Sequence, residues 1–402
     1  MLNIAIYTET SKSSGGAHHQ NLKLINIFNN YLCREFNFTY IATSEDQKEE
    51  LLKNHVNVIF FKKNFRFKIE KFLFQFSFFK QLYKKFSANS SFENFLISRN
   101  FDLIFFNSPY EVSFLLNKVN FVIILLSLQH QQLCFFPEYK LGHDNEIRDK
   151  IIENSVKKSF KIYIGSGKDK DLLVKYFNAD TDKVIVQPYA FNLSSIYEKN
   201  HEYNYEKKFN DLNIPISRDI FIYPAQFWAH KNHKYIVDVA FQLKKQNIKD
   251  VFFVFCGFDK GNLNYIKKII NENSLNEYIK IFSYLDDYEL ISLYLNCFGI
   301  IMPTFVGSTT IPMYEAFYFK KNIFFSKGLS DSSVRDFIDE IDLNDTSSFI
   351  KKYHEVKNNK KVNEEKLEKA KIFIDKNCND YLIANNFRKT FKEYEYFKSL
   401  WS

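Results

Sequence analysis

Glycine is scarce in this 402-residue sequence, with only 10 residues, and the five cysteines (Cys33, Cys134, Cys256, Cys297 and Cys378) are scattered and odd in number. No CxxC or metal-ligand spacing joins them, so free thiols in a reducing compartment are expected. Long apolar runs are also missing. The longest, FVIILL at 121–126, is far too short to span a bilayer. The first residues read as a strand, without a basic region leading into an apolar one, so no signal peptide is expected. No GxGxxG occurs, which argues against a dinucleotide oxidoreductase. IGSGKDKD has the wrong spacing for a Walker loop. No nucleophile elbow and no Ser–His–Asp order is visible.

What is present points to a folded protein of two or three domains. Hydrophobic residues make up 46% of the chain, enough for full cores. The net charge of +8 permits an anionic partner: nucleotide, nucleic acid or acidic membrane. Strand-like apolar runs recur at 2–7, 38–42, 56–61, 101–106, 121–126, 161–165 and 184–187, with helix-period segments such as 144–159 and 168–177 between most of them. Continuous apolar runs joined by helices predict parallel strands buried on both faces. A polar stretch of low periodicity around 193–219 reads as a connection between domains. The pattern then restarts with IFIYPA, VFFVFCG, IKIFSY, CFGIIMP and NIFFSK, and the chain ends in helix. The reading is α/β, two Rossmann-like domains facing a cleft, with ligands at the carboxyl ends of the strands.

The stretch TETSKSSGGAHHQN at 8–21 places two of the 10 glycines side by side between the first strand and the first helix. Free N–H groups at a helix start attract an anion, and glycine lets the backbone approach one closely. Gly15 and Gly16 thus line the expected cleft near a phosphate or sugar. An ordinary tight turn is the other reading. His18 and His19 follow, and either could touch acceptor or phosphate.

Two later segments are more specific: YPAQFWAHKNHKYIVDVAFQL, and SYLDDYELISLYLNCFGIIMPTFVGSTTIPMYEAF. Together they resemble the retaining GT-B glycosyltransferases of family 4, which use nucleotide-sugar donors. The nearest variant is similar to bacterial surface-glycan enzymes with a YPAQFWxHKNH stretch. SLQHQQLCFFPEY, YIGSGKDKDLLVKYF and VIVQPYAF agree in order along the first half. The resemblance implies a first, acceptor-side domain over 1–192 and a nucleotide-sugar domain over 193–380. It also implies a helix over 381–402 that packs back towards the first domain.

The chemistry of breaking a sugar–phosphate bond supports this. The leaving diphosphate gains negative charge and needs fixed donors and cations. Lys231, at the start of a helix, is the expected cation. The family's arginine, five residues before this lysine, is replaced by Gln226; Lys12, His230 or another group would have to stand in. The family pattern also has two glutamates with seven residues between them. Only the second is present, as Glu315, and the resemblance gives it the ribose hydroxyls. Gly307 stands at the first position, which leaves donor contacts to the backbone N–H groups of Ser308, Thr309, Thr310 and Ile311. His130 directly follows a strand and is the expected group near the reacting sugar; a buried structural histidine is the alternative.

Asp169–Lys170–Asp171 and Asp180–Thr181–Asp182 fit a metal-binding DxD. Each is read instead as capping or turn chemistry, so no essential metal and no other cofactor is expected. Residues 60–86 carry eight basic residues and one acidic one. Ile69, Phe72, Phe76, Phe79, Tyr83 and Phe86 form one helical stripe and Phe74, Phe78 and Leu82 another. One stripe suits the first sheet and the other an anionic membrane; core packing of both is the alternative. Nucleic acid is not expected as a partner. The expected activity is hexose transfer, with retention, from a nucleotide diphosphate sugar to a glycan or lipid-linked glycan. Its place would be cytoplasmic, peripheral at the inner membrane, in surface polysaccharide or lipopolysaccharide synthesis. A GT-B UDP-sugar epimerase and a non-catalytic partner of the same fold are the rivals.

Overall fold

A computed structural model describes residues 1–9, 16–54, 56–86, 89–126, 128–140 and 144–401. The chain divides into two compact units. The first comprises 1–135, 139–190 and 379–402, and the second 136–138 and 191–378.

The first unit is built on a parallel seven-stranded sheet, β1 (Asn3–Tyr7), β2 (Asn37–Ala42), β3 (Val58–Phe60), β4 (Leu103–Phe106), β5 (Asn120–Leu125), β6 (Lys161–Ile164) and β7 (Val184–Val186). The spatial order is β3-β2-β1-β4-β5-β6-β7. Each strand matches an expected apolar run. They read as continuous because alternate side chains enter two different cores. Ala5, Tyr7, Ile104, Phe106, Ile123 and Ile162 pack on one face. Ile4, Ile6, Leu103, Phe105, Val122 and Tyr163 pack on the other.

The second face is closed by helix Gly16–Tyr31 and by the C-terminal helix Asp380–Lys398. Phe387 of the latter lies 5.1 Å from Phe28, 5.4 Å from Phe105 and 4.5 Å from Tyr163. Tyr163 Oη meets Thr390 Oγ1 at 2.7 Å, and the buried Lys23 ammonium pairs with Asp380 at 2.7 Å. The end of the chain thus returns to the first unit, as the sequence suggests. The helical ending is interrupted, however. Helix Lys360–Asn377 stops at Cys378, and Asn379 caps the next helix by accepting from Leu382 N at 2.9 Å.

The second unit repeats the design with β8 (Asp219–Pro224), β9 (Val251–Cys256), β10 (Ile279–Phe282), β11 (Gly299–Met302), β12 (Asn322–Ser326) and β13 (Asp339–Ile341). The order is β10-β9-β8-β11-β12-β13, again parallel. Its core centres on Phe221, whose ring contacts Phe253, Phe298, Phe324, Phe349 and Tyr353. β13 has too little apolar content to be visible in the sequence. The stretch read as a connection is not featureless. It forms helices Leu193–Lys199 and Tyr205–Asp211, and Tyr205 and Phe209, four apart on one face, are buried.

In both sheets the order reverses between the first and fourth strands, β1 and β4 in one and β8 and β11 in the other. The crevice outside such a reversal is where open α/β sheets hold ligands. Phe387→Ala should cost about 3–5 kcal/mol by emptying the space among three rings, read as a lower urea midpoint for unfolding of the full chain.

Candidate functional site

β8 and β11 flank the reversal of the second sheet, and the expected donor residues follow these two strands. After β8 the chain makes a tight excursion, Ala225–Asn232. Phe227 is fully buried and its N–H donates to Phe258 O at 3.0 Å. Gly257 permits this approach: a Cβ there would fall 2.3 Å from Ala225 O. Gln226, at the position of the family arginine, accepts from Trp228 Nε1 at 3.0 Å. It thereby fixes the indole. The Lys260 ammonium lies 5.8 Å from the same ring, a cation on the loop after β9 that motif reading did not single out.

Lys231 closes a short 3-10 turn, Ala229–Lys231. Helix His233–Lys245 begins only after Asn232, which takes the left-handed conformation with φ 53°. Lys231 therefore stands just before the helix, not in its first turn. Its carbonyl accepts from Tyr223 Oη at 2.8 Å. Among the described residues no carboxylate forms an ion pair with its ammonium. Desolvation lowers its pKa to about 8, and the nearby Glu138 opposes that shift.

Glu138 is a further residue that sequence reasoning missed. It belongs to the second unit although it precedes β6. Its Oε1 accepts the His230 N–H at 2.8 Å and also contacts His230 Nδ1. The signal was present, in the FFPEY stretch, but nothing local shows that it meets a residue 92 positions away. The neighbouring His233 is fully buried, and desolvation lowers its pKa to about 3, so the ring is neutral.

The loop after β11 is tied to this turn. Phe305 N donates to His230 O at 2.9 Å, and Thr304 Oγ1 bonds Val306 O at 2.8 Å. Gly307 has φ 101°. That conformation is open to glycine and strained for the glutamate that the resemblance would put there. Ser308 O accepts from Asp331 N at 3.0 Å. Thr310 caps helix Ile311–Tyr318 by accepting from Met313 N at 3.3 Å. Thr309 Oγ1 is buried without a hydrogen-bond partner. No intrachain acceptor takes the N–H of Thr309, Thr310 or Ile311 among the described residues. Three consecutive backbone N–H groups at a helix start, one unsatisfied hydroxyl and a lysine on the adjoining loop form a chemically consistent anion receptor.

Glu315, on the same helix, is 5% exposed. Its Oε2 accepts from Tyr294 Oη at 2.9 Å, and desolvation raises its pKa to about 7. An aromatic pair, with Tyr284 exposed and Phe258 half-buried, completes this end of the sheet. Tyr284, after β10, lies 5.7 Å from Phe258, after β9.

In the first unit Gly16 opens the first helix. Gly15 and Lys12 lie outside the described residues. His18 is 4% exposed and its Nε2 lies 3.3 Å from Glu50 Oε1. His19 is half-buried, its ring 6.1 Å from that of His18. His130 is buried, with Nε2 2.7 Å from Asp149 Oδ1. Desolvation, then Arg148, lowers its pKa, against the opposing effect of Asp149. Near β1 and β4 a buried polar cluster joins Asn107 to Thr8 at 3.0 Å and to Asn21 at 2.6 Å. The Asp169 N–H donates to the capping Ser166 Oγ at 3.0 Å, and Asp180 accepts from Asp182 N at 3.0 Å. Both DxD triplets are therefore capping and turn features.

Residues 204–341 match the family described as Glycosyl transferases group 1. No curated protein matches the sequence. Solved structures are similar over nearly the whole chain. Alr3699/HepE of Anabaena, in complex with UDP and glucose, is 13% identical, with TM-score 0.68 over 98% of this chain and 100% of that one. Sucrose-phosphate synthase of Thermosynechococcus elongatus is 12% identical, with TM-score 0.72 over 98% and 99%. WaaG, a glycosyltransferase involved in lipopolysaccharide biosynthesis, is 10% identical, with TM-score 0.64 over 96% and 98%. These likenesses show the fold, which is GT-B.

The raised pKa of Glu315 has a signed consequence. A carboxyl raised in the fold adds stability at low pH and loses it as pH rises through the folded value. Between pH 4.5 and about 7, the Tm of the parent should fall relative to Glu315→Gln, which keeps the acceptor for Tyr294.

Proposed function

We propose that this chain is a retaining glycosyltransferase that moves a hexose from a nucleotide diphosphate sugar to a growing glycan. The observation that carries the reading is the anion receptor of the second unit. Lys231 and the 308–311 loop leave the two strands that flank the sheet reversal, inside the segment that matches the group 1 family. The UDP and glucose bound by Alr3699/HepE support a nucleotide-sugar donor here. WaaG's lipopolysaccharide role supports a bacterial surface-glycan product.

In this reading Lys231 and the N–H groups of Ser308, Thr309, Thr310 and Ile311 hold the diphosphate and take up its growing charge. Glu315 accepts from the ribose hydroxyls, and the Tyr284–Phe258 pair offers a face to the base. His130 holds a sugar hydroxyl. Gly16 gives the donor room, and His18 or His19 meets the acceptor. The leaving phosphate takes the acceptor proton on the same face, so no protein nucleophile is needed. His230 and Gln226 act by position: His230 is set by Glu138, and Gln226 orients Trp228.

Lys231→Ala should lower transfer by roughly a hundred- to thousandfold in an assay that follows sugar incorporation. Glu315→Ala should mainly weaken nucleotide binding, because ribose is held alike in ground and transition states. A nucleotide diphosphate titration of the parent adds a pH test. Lys231 is charged below about 8, so affinity should fall as pH rises through that value, and Lys231→Ala should flatten the profile. Unchanged transfer by Lys231→Ala would overturn the assignment. Release of an epimerised sugar or free UDP without acceptor would identify an epimerase, and binding without turnover a non-catalytic partner.

A further inference from the structure

The expected stripes at 60–86 do not form one continuous amphipathic helix. Helix Phe65–Leu73 ends at Phe74, and a second helix, Ser77–Phe86, follows a short turn. Phe67, Glu70 and Phe74 turn inward. Glu70 accepts from Arg66 Nε at 2.7 Å and from Ser91 N at 2.8 Å. Tyr83 packs on Phe74, with ring centroids 5.1 Å apart. These contacts anchor the two helices to the first core. The expected division of stripes is therefore mixed, because the turn at 74–76 redirects the second helix.

What remains outside is unusually apolar. Phe65 is 77% exposed, Phe72 60% and Phe78 70%, and Ile69, Phe76, Phe79 and Leu82 are exposed as well. Phe72, Phe76, Phe79 and Phe78 form a chain of edge-to-face rings, with successive centroids 5.7, 6.0 and 5.5 Å apart. This is a connected patch, unlike scattered surface phenylalanines. Its margin is cationic. Lys62, Lys68 and Lys85 are exposed and form no ion pair among the described residues. The Lys150 ammonium lies 4.8 Å from the Phe76 ring.

We propose that this face docks the protein on an anionic lipid bilayer. The phenylalanines enter the boundary between headgroups and acyl chains, and the lysines meet the acidic headgroups around them. Charge selects this occupant over a second copy of the chain, which would set one basic margin against another. Among the described residues no helix is long and apolar enough to cross a membrane, so the attachment is peripheral and weakens with salt.

The full chain should sediment with vesicles of about one part phosphatidylglycerol to three parts phosphatidylethanolamine, and not with phosphatidylcholine vesicles. Each lysine near an anionic surface is worth roughly fivefold in partitioning. The combined Lys62→Glu, Lys68→Glu and Lys85→Glu variant should therefore bind at least about a hundredfold less. Phe65→Ser with Phe72→Ser and Phe78→Ser should lose at least about tenfold. All six side chains are exposed, so both variants should keep the parent Tm and nucleotide affinity, which separates this test from that of the transferase reading. No parental binding, equal binding to neutral vesicles, or unchanged binding by the lysine variant would overturn the proposal. So would single-stranded DNA binding or self-association lost in the same variants without vesicle binding.

Discussion

Burial of both faces of two parallel sheets is the constraint on which the molecule depends. A sheet covered on both sides offers ligands little but its ends, where strands give way to loops and helix starts. Each strand then contributes alternate side chains to two cores, as Ile4 and Ala5 do. With the interior filled by phenylalanine, tyrosine, isoleucine and leucine, polar function is displaced to the carboxyl ends. The reversal of strand order separates two neighbouring loops there. Lys231 and the 308–311 loop occupy that place in the second unit.

Electrostatics at this place follow from the same crowding. Partial burial makes the Lys231 charge costly, and the nearby carboxylate of Glu138 offsets part of that cost. Glu138 is itself held by the backbone and ring of His230. A lysine kept charged without a direct carboxylate partner is suited to an anion that arrives from outside. Glu315 shows the opposite effect, since burial favours its neutral form and Tyr294 supplies a donor that limits the shift. The same helix thus carries groups for an anion at its start and a carboxyl suited to hydroxyl groups further along.

Much of the fold was legible because burial on both faces leaves uninterrupted apolar runs. The twelve apolar strand runs that stood out are all strands, while β13, DEI at an edge of the sheet, has no such signature. The helices at 193–211 were hidden because their buried residues are few and widely spaced. Lys231 and Glu315 stood out through the motifs around them. Glu138, Lys260 and the Gln226–Trp228 bond did not, because their significance lies in contacts made across turns and distant segments. His130 and His18 were visible as residue types, yet their partners Asp149 and Glu50 come from other helices and follow only from tertiary packing.

Gly307 bears on which side chains the loop before helix Ile311–Tyr318 can carry. Its φ of 101° belongs to a region that side-chain-bearing residues enter at a cost. An acidic residue substituted at this position would sit on a backbone unsuited to it. The loop path would have to shift first, together with the Thr304 and Phe305 bonds that tie it to the His230 turn. The loop can therefore present backbone groups at Gly307 but holds a side chain there only at the expense of its own path.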